Sequence, residues 1–174
     1  MDSTNKPAAE KGNDDRNMSV AVKNPWKAVL GGGDRNRDAN GWRTRAVGVA
    51  FRGENEELKV LLVSSGSTNT SWSLPGGGVD KGDESHADAA ARELFEEAGV
   101  TGKATSLVGV VKDEIKKNNS SIFLMDVSEE HDTWEEGVLG RIRCWHLVSD
   151  ALNMLQAKHK NVLKMAMEHR DRQT

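Results

Sequence analysis

Residues 76–100 read GGGVDKGDESHADAAARELFEEAGV, and this stretch indicates most about the fold. Three glycines follow Pro75 directly, so the chain turns there and its backbone can approach a ligand closely. Residues 85–98 contain no Gly or Pro and are rich in Ala, Leu and Glu, which favours a helix. Asp83 or Ser85 can cap the start of this helix, and Gly99 suits the position just past its end. The stretch therefore predicts a glycine turn followed by one helix.

The predicted helix has an apolar face and an acidic face. The apolar residues at helical spacing are Ala87, Ala90, Ala91, Leu94 and Ala98. Glu93 and Glu97 are one turn apart, and Glu96 lies beside them. Carboxylates this close repel one another, and a divalent cation that prefers oxygen ligands would remove that cost. An acidic surface helix with Arg92 paired to Glu96 is the alternative for these glutamates alone, but the glycine turn and the spacing of Glu84 and Arg92 favour a metal site.

Bulk properties narrow the class of protein. The chain has 174 residues, enough for one domain with a core plus a tail. Its net charge of -3, from 24 basic and 27 acidic side chains, argues against a dedicated nucleic-acid binder. Cys144 is the single cysteine, so no intramolecular disulfide is possible. Without a spanning apolar run or a signal-peptide core, we expect no membrane partner and a cytoplasmic location, with the nucleus as the alternative. The oligomeric state stays open.

The rest of the chain divides into a tail and a domain of mixed structure. We expect residues 1–40 to be a largely disordered extension, because residues 1–17 are polar and charged. We expect residues 41–170 to form the folded domain, in which strands and helices intermingle. Val47, Val49 and Phe51 alternate and should share one face of a strand. The predicted strands are 42–52, 59–65, 107–112, 121–127 and 141–147, residues 72–74 are a short approach to the glycine turn, and the predicted later helices are 150–156 and 161–168.

The acidic stretch resembles the signature of the Nudix hydrolases, G-x5-E-x7-R-E-U-x-E-E-x-G-U, where U is a bulky apolar residue. Every specified position is filled, starting from Gly78 and Glu84 and continuing through residues 92–100. The resemblance implies an α+β fold, a Nudix-type α/β/α sandwich with a mixed central sheet and a loop-helix-loop catalytic box. It also implies hydrolysis of a pyrophosphate linkage by a metal-activated water.

The same resemblance assigns roles within the box. Glu93 and Glu97 would ligate the metal together with the carbonyl of Gly76. The cofactor would be Mg²⁺, with Mn²⁺ as the alternative. Glu96 is the candidate general base.

Three further box residues have supporting roles by the same resemblance. Arg92, which we count with the catalytic residues, would orient the glutamates rather than touch the substrate. Glu84 would pair with Arg92 or support the outer shell of the metal. Gly78 belongs to the glycine turn.

Short motifs outside the box resemble the diphosphoinositol polyphosphate phosphohydrolases. These motifs are residues 61–65, 72–78, 107–109, 132–136, 141–145 and 150–152. The resemblance implies a cationic pocket for a heavily phosphorylated ring, formed by Arg35, Arg43, Thr44, Arg45, Ser65, Gly66, Ser67, Lys116, Lys117, Asn118 and Arg141. Either Lys158 or Lys160 would represent a further lysine near the C-terminal helix, because His159 takes the aligned place. Since the chain is net negative, these bases would have to gather on one face.

The chain departs from that subfamily at four positions. Ser67, Thr44 and Asn119 replace basic residues, and Trp42 replaces a tyrosine. We expect cleavage of the diphosphate group of diphosphoinositol polyphosphates, and also of diadenosine polyphosphates, since linear phosphate chains need fewer fixed cations. The alternatives are a Nudix hydrolase of another nucleoside diphosphate derivative, such as a dinucleoside polyphosphate, a nucleotide sugar or an RNA cap, or a non-catalytic sensor of a phosphorylated ligand. A chain with no Tyr and 3 Phe has little material for an aromatic base clamp.

Two other residue types carry simpler expectations. Trp134 is flanked by acids, which predicts a surface or wall position. The histidines show no metal-ligand spacing and are expected to be structural or exposed; they are His86, His131, His146, His159 and His169.

Overall fold

The computed structural model describes residues 36–65 and 71–173. Arg35, Gly66 and Ser67 lie outside the described residues, as does most of the predicted extension. The limits 1–40 and 41–170 therefore stay predictions. The strands are β1 (Arg43–Arg52), β2 (Lys59–Ser64), β3 (Trp72–Ser73), β4 (Gly76–Gly78), β5 (Val100–Asp113), β6 (Asn118–Glu130) and β7 (Arg143–Leu147). The helices are α1 (His86–Ala98), α2 (Glu135–Val138), α3 (Val148–Met154) and α4 (Ala157–Asp171), with a 3₁₀ turn at Asn55–Glu57.

Strand β1 lies at the centre of a mixed sheet. It runs parallel to β6, and antiparallel to β2 and β4. Strand β5 continues the sheet beyond β6, while β3 and β7 flank β2. The register places Arg45 opposite Gly78 and Val47 opposite Gly76. Arg45 therefore lies beside the glycine strand.

Helices cover both faces of this sheet. Alternate strand residues point to opposite faces, so each face contributes side chains to its own core cluster. Ala46 and Ala50 pack in one core cluster with Leu94 of α1. Val47 and Val49 pack in the other cluster with residues of α3 and α4, and Phe51 packs against that cluster. The predicted shared face of these three β1 residues is therefore confirmed. The predicted α+β class and the α/β/α sandwich are also confirmed.

Helix α1 begins and ends as the sequence predicts. Ser85 is its N-cap, and the side chain of Ser85 accepts a hydrogen bond from the Asp88 amide at 3.1 Å. Gly99 ends the helix in the left-handed conformation, with φ of 60°, and its amide donates to the Phe95 carbonyl at 2.8 Å. A residue with a Cβ would be strained there. The apolar face of α1 is fully buried at Leu94 and Ala98.

The structure differs from prediction mainly in the edge strand and the last helix. Strand β5 begins at Val100 rather than at 107, because its first half is small and polar and shows no apolar alternation. Helix α4 extends beyond 161–168 at both ends. Among the described residues, no helix is long and apolar enough to cross a membrane.

Candidate active site

The glycine strand β4 lies against α1, and each of its residues contacts the box. The Gly76 amide donates to Glu97 Oε2 at 2.9 Å, and the Gly78 carbonyl accepts from Arg92 Nη2 at 2.8 Å. A Cβ at Gly77 would collide with the carboxylate of Glu93. Glycine at position 77 therefore allows β4 to approach the Glu93 carboxylate closely.

Arg92 links the loop before α1 to the acidic face of the helix. Its Nε and Nη2 atoms donate to the two carboxylate oxygens of Asp83, each at 2.9 Å. Its Nη1 atom donates to Glu93 at 3.0 Å and to Glu96 at 3.3 Å. The bond to Asp83 raises the pKa of Arg92 above its usual range. Arg92 is therefore held as a cation beside both glutamates, in the orienting position expected for it.

Arg92 forms its bidentate pair with Asp83, while Glu84 is exposed. Support of the outer shell of the metal, the other role expected of Glu84, stays a prediction. Asp83 also accepts a hydrogen bond from the Asp80 amide at 2.7 Å, so the loop folds back toward the helix at this residue. The one indication of this pairing in the sequence is that Asp83 directly precedes Glu84.

The box glutamates resist ionisation in this environment. The side chains of Glu93 and Glu97 are only 12% and 14% exposed. Burial raises the pKa of Glu93 to about 7, and the charge of Glu97 adds to the effect. Burial also raises the pKa values of Glu96 and Glu97, against the opposing charges of Arg92 and Arg141 respectively. Buried acids that repel one another favour a bound cation.

The residues present fit a divalent cation. Glu93 and Glu97 supply carboxylate oxygens where β4 meets α1, and the carbonyl of Gly76 in the same strand accepts a hydrogen bond from Arg45 Nη2 at 3.2 Å. In the described ranges, no group of three or more His, Cys, Asp or Glu side chains forms a ready-made metal cage. A set of two carboxylates and a carbonyl suits Mg²⁺, which keeps several waters and takes further ligands from substrate phosphates.

Arg141 lies at the acidic cluster, where it pairs with two glutamates. Its Nη1 atom is 2.8 Å from Glu97 Oε1, and its Nε atom is 2.6 Å from Glu136 Oε2. Because Glu97 also bonds to Gly76, Arg141 is next to the glycine strand. The predicted pocket residue is thus close to the proposed metal ligands.

A partly cationic groove begins at the glycine strand. It is lined by Arg45, Val47, Leu74, Gly76, Val111, Ser120, Ile122, Lys158, His159 and Val162. An adjoining groove is lined by Val111, Lys112, Asp113, Glu114, Ile115, Asn118, Ser120 and Lys158. Burial lowers the pKa of Lys158, and the charges of Arg45 and Lys116 lower it further. Of the two lysines left open by the sequence, Lys158 is the one that lines both grooves.

Other predicted pocket residues have different surroundings. Thr44 is buried, and its hydroxyl donates to the Asn36 carbonyl at 2.9 Å. The Lys117 ammonium lies 5.0 Å from the centre of the Trp42 ring. The Ser65 hydroxyl is hydrogen-bonded to the Ser71 hydroxyl.

The other basic and polar pocket residues lie along β1 and the β5–β6 turn. Arg43 is exposed on β1, on the same side of the strand as Arg45. Lys116 is exposed in the turn, while Asn118 is buried and lines the second groove.

Two side-chain contacts at the site were not expected from the sequence, those of His159 and Trp134. His159 Nδ1 is 3.4 Å from the Leu74 amide, and burial lowers the pKa of His159 to about 4. A neutral imidazole therefore lies beside the segment that leads into Gly76. Trp134 is half-buried, and its indole N–H donates to the Glu97 carbonyl at 3.0 Å. Trp134 lies in the motif 132–136, but neither that motif nor the sequence around His159 indicates which segment each side chain contacts.

Comparisons with known proteins agree with this geometry. Residues 42–166 match the model of the NUDIX domain. The chain is 42% identical over 129 residues to rat diphosphoinositol polyphosphate phosphohydrolase 2, covering 74% of this chain and 70% of that protein. It is 41% identical over 130 residues to mouse diphosphoinositol polyphosphate phosphohydrolase 3-alpha, covering 74% and 77%.

A solved structure has the same fold. The NUDIX domain of Shewanella oneidensis NrtR, complexed with ADP ribose, superimposes with a TM-score of 0.61 at 24% identity. The match covers 80% of this chain and 95% of that domain. At this identity the likeness bears on the fold alone.

Proposed function

Because this chain belongs to the Nudix family of hydrolases, we propose that it cleaves the diphosphate group of diphosphoinositol polyphosphates and releases phosphate. One observation carries the proposal most directly. The groove that contains Arg45 and Lys158 reaches Gly76, whose amide is bonded to Glu97. The position of Arg45 and Lys158 near the box carboxylates supports the proposal. The names of the relatives, diphosphoinositol polyphosphate phosphohydrolases, support the same substrate.

The groove suits a dense polyanion. Arginine forks and lysine ammonium groups neutralise phosphate oxygens well. Lys158 is already disfavoured as a cation by burial and by Arg45 and Lys116, so a bound phosphate would relieve repulsion among these groups. The chain is net negative, yet Arg45 and Lys158 both line the groove that includes Gly76 of β4.

In the proposed reaction, water attacks the terminal phosphorus and the bridging P–O bond breaks. Glu96 accepts a proton from the attacking water, and Arg92, which donates to Glu96, orients its carboxylate. Glu93, Glu97 and the Gly76 carbonyl would hold a divalent cation, for which we propose Mg²⁺ with Mn²⁺ as the alternative. A bound cation of this kind supplies charge neutralisation and lowers the pKa of water.

We also propose hydrolysis of diadenosine polyphosphates. The buried hydroxyl of Thr44, at a position where a lysine is usual, supports this, because the site has one cation fewer for a phosphorylated ring. A linear phosphate chain demands fewer fixed cations. The cytoplasmic or nuclear location stays a prediction from the sequence.

A matched pair of lysine variants tests the pocket. Lys158→Met removes a cation from both grooves, whereas Lys160→Met removes the same charge from a residue that lines neither. Loss of a charged phosphate contact should raise KM for diphosphoinositol pentakisphosphate roughly tenfold or more in the first variant. The second variant should match the wild type. An equal rise in both would show that only net charge matters and would contradict the pocket.

A further inference from the structure

The last turn of α1 is held by two side chains from a distant segment. Trp134 donates its indole N–H to the Glu97 carbonyl at 3.0 Å. Arg143 donates through Nη1 to the carbonyls of Ala98 and Gly99, at 2.8 and 3.0 Å. The last carbonyls of a helix have no partner within the helix, so side chains that bond to them fix where the helix ends. A guanidinium there also complements the negative end of the helix dipole.

The Trp134 ring fits tightly between two glycines and Arg143. A Cβ on Gly99 would lie 2.6 Å from the ring, and a Cβ on Gly137 would lie 2.5 Å from it. The Arg143 guanidinium carbon is 4.7 Å from a Trp134 ring centre, within the range of a cation–π contact. Ring, guanidinium and helix end therefore form one packed unit, which we call the clamp (Trp134 and Arg143).

Glu97 is held through its side-chain carboxylate and also through its main-chain carbonyl. Its carboxylate bonds to the Gly76 amide at 2.9 Å and pairs with Arg141 at 2.8 Å. Its main-chain carbonyl is held by Trp134. A small shift in the last turn of α1 would therefore move the carboxylate of Glu97 relative to the glycine strand.

We propose that Trp134 and Arg143 are positioning residues, which set the last turn of α1 so that Glu97 meets the cation at Gly76. The inference rests on the proposed function only in taking Glu97 as a metal ligand. Neither residue of the clamp touches the substrate in this scheme. The clamp acts through the backbone of the helix that carries Glu96 and Glu97.

The test compares two tryptophans with similar surroundings. Trp134→Phe removes the indole N–H from the clamp and keeps an aromatic ring. Trp145→Phe is the control, because the Trp145 indole donates to Glu130 and the Arg52 guanidinium carbon lies 4.2 Å from the Trp145 ring. Glu130 also pairs with Arg143 at 3.9 Å, and this variant keeps both of those side chains. Mn²⁺ affinity of the full chain is measured by electron paramagnetic resonance without substrate, and folding is checked by urea denaturation.

Trp134→Phe is expected to weaken Mn²⁺ binding roughly three- to tenfold, the range for one lost hydrogen bond. Trp145→Phe should bind Mn²⁺ as the wild type does. Arg143→Lys should also weaken binding, because an ammonium does not reproduce the planar, stacked guanidinium. With substrate, kcat should fall while KM changes little.

Two results would overturn the proposal. The first is wild-type Mn²⁺ affinity in both clamp variants, and the second is an equal loss in Trp145→Phe. The binding readout needs no substrate. A protein that binds Mn²⁺ but cleaves no diphosphoinositol polyphosphate would therefore contradict the proposed function while still testing the clamp.

Discussion

Replacing Glu93 with glutamine should stabilise the protein against urea at pH 8 when a chelator removes divalent cations. The pKa of Glu93 rises from the usual 4.5 to about 7, chiefly through burial and then through the charge of Glu97. The folded protein therefore binds more protons than the unfolded chain between these two pKa values. As a result, ionisation of Glu93 lowers the free energy of unfolding as pH rises through this window.

The size of the effect follows from the shift. One pKa unit corresponds to about 1.4 kcal/mol, so ionised Glu93 costs about 3 kcal/mol above pH 7 and nothing below pH 4.5. Glutamine has no charge to bury but keeps a similar shape. The raised pKa already includes the favourable contact with Arg92, so the gain at pH 8 should be about 3 kcal/mol.

The assay is urea denaturation at pH 5 and pH 8 with a chelator present. The control is Glu168→Gln, which removes the charge of an exposed glutamate on α4. Glu93→Gln should gain stability relative to the wild type at pH 8 and lose most of that gain at pH 5, while the control should show no such pH dependence. A Glu93→Gln variant that is equally or less stable than the wild type at pH 8 would show that ionised Glu93 does not destabilise the folded protein.

Three further predictions concern the box. Gly77→Ala should cut the initial hydrolysis rate, because its Cβ collides with the Glu93 carboxylate; Gly82→Ala, whose Cβ would have nothing within 4 Å, is the matched control. Glu96→Gln should lower kcat by roughly 10²- to 10⁴-fold, as expected for a lost general base, while inositol hexakisphosphate binding measured by calorimetry stays unchanged. Leu94→Ala should lower the free energy of unfolding in urea by about 2–5 kcal/mol, because Leu94 is fully buried. A wild-type hydrolysis rate in Gly77→Ala, a wild-type kcat in Glu96→Gln or a wild-type free energy of unfolding in Leu94→Ala would contradict the respective prediction.

The parts of the fold that the sequence predicted well depend on local signals. Helix α1 has its cap, its apolar face and its terminal glycine within residues 85–99, so the pattern contained what was needed. Strand β1 was predicted for the same reason, through its alternating apolar residues. The first half of β5 was missed because an edge strand can be stable through pairing with β6 without an apolar pattern of its own.

The parts of the site that were missed depend on distant contacts. Leu74 and His159 are 85 residues apart, and Glu97 and Trp134 are 37 apart. Periodicity in one segment reveals nothing about which segment packs against it. The arrangement of Lys158 and Arg45 around one groove likewise depends on how α4 packs against β1.

The most direct test of the proposed function is hydrolysis by the purified full chain with Mg²⁺, measured as kcat/KM on four substrates side by side. These are diphosphoinositol pentakisphosphate, diadenosine hexaphosphate, a nucleotide sugar and a capped RNA. We predict that inorganic phosphate is released from the inositol compound with the highest kcat/KM of the four substrates, and that the dinucleotide is cleaved more slowly. Preference for the nucleotide sugar or the capped RNA, or tight binding of the inositol compound without turnover, would contradict it.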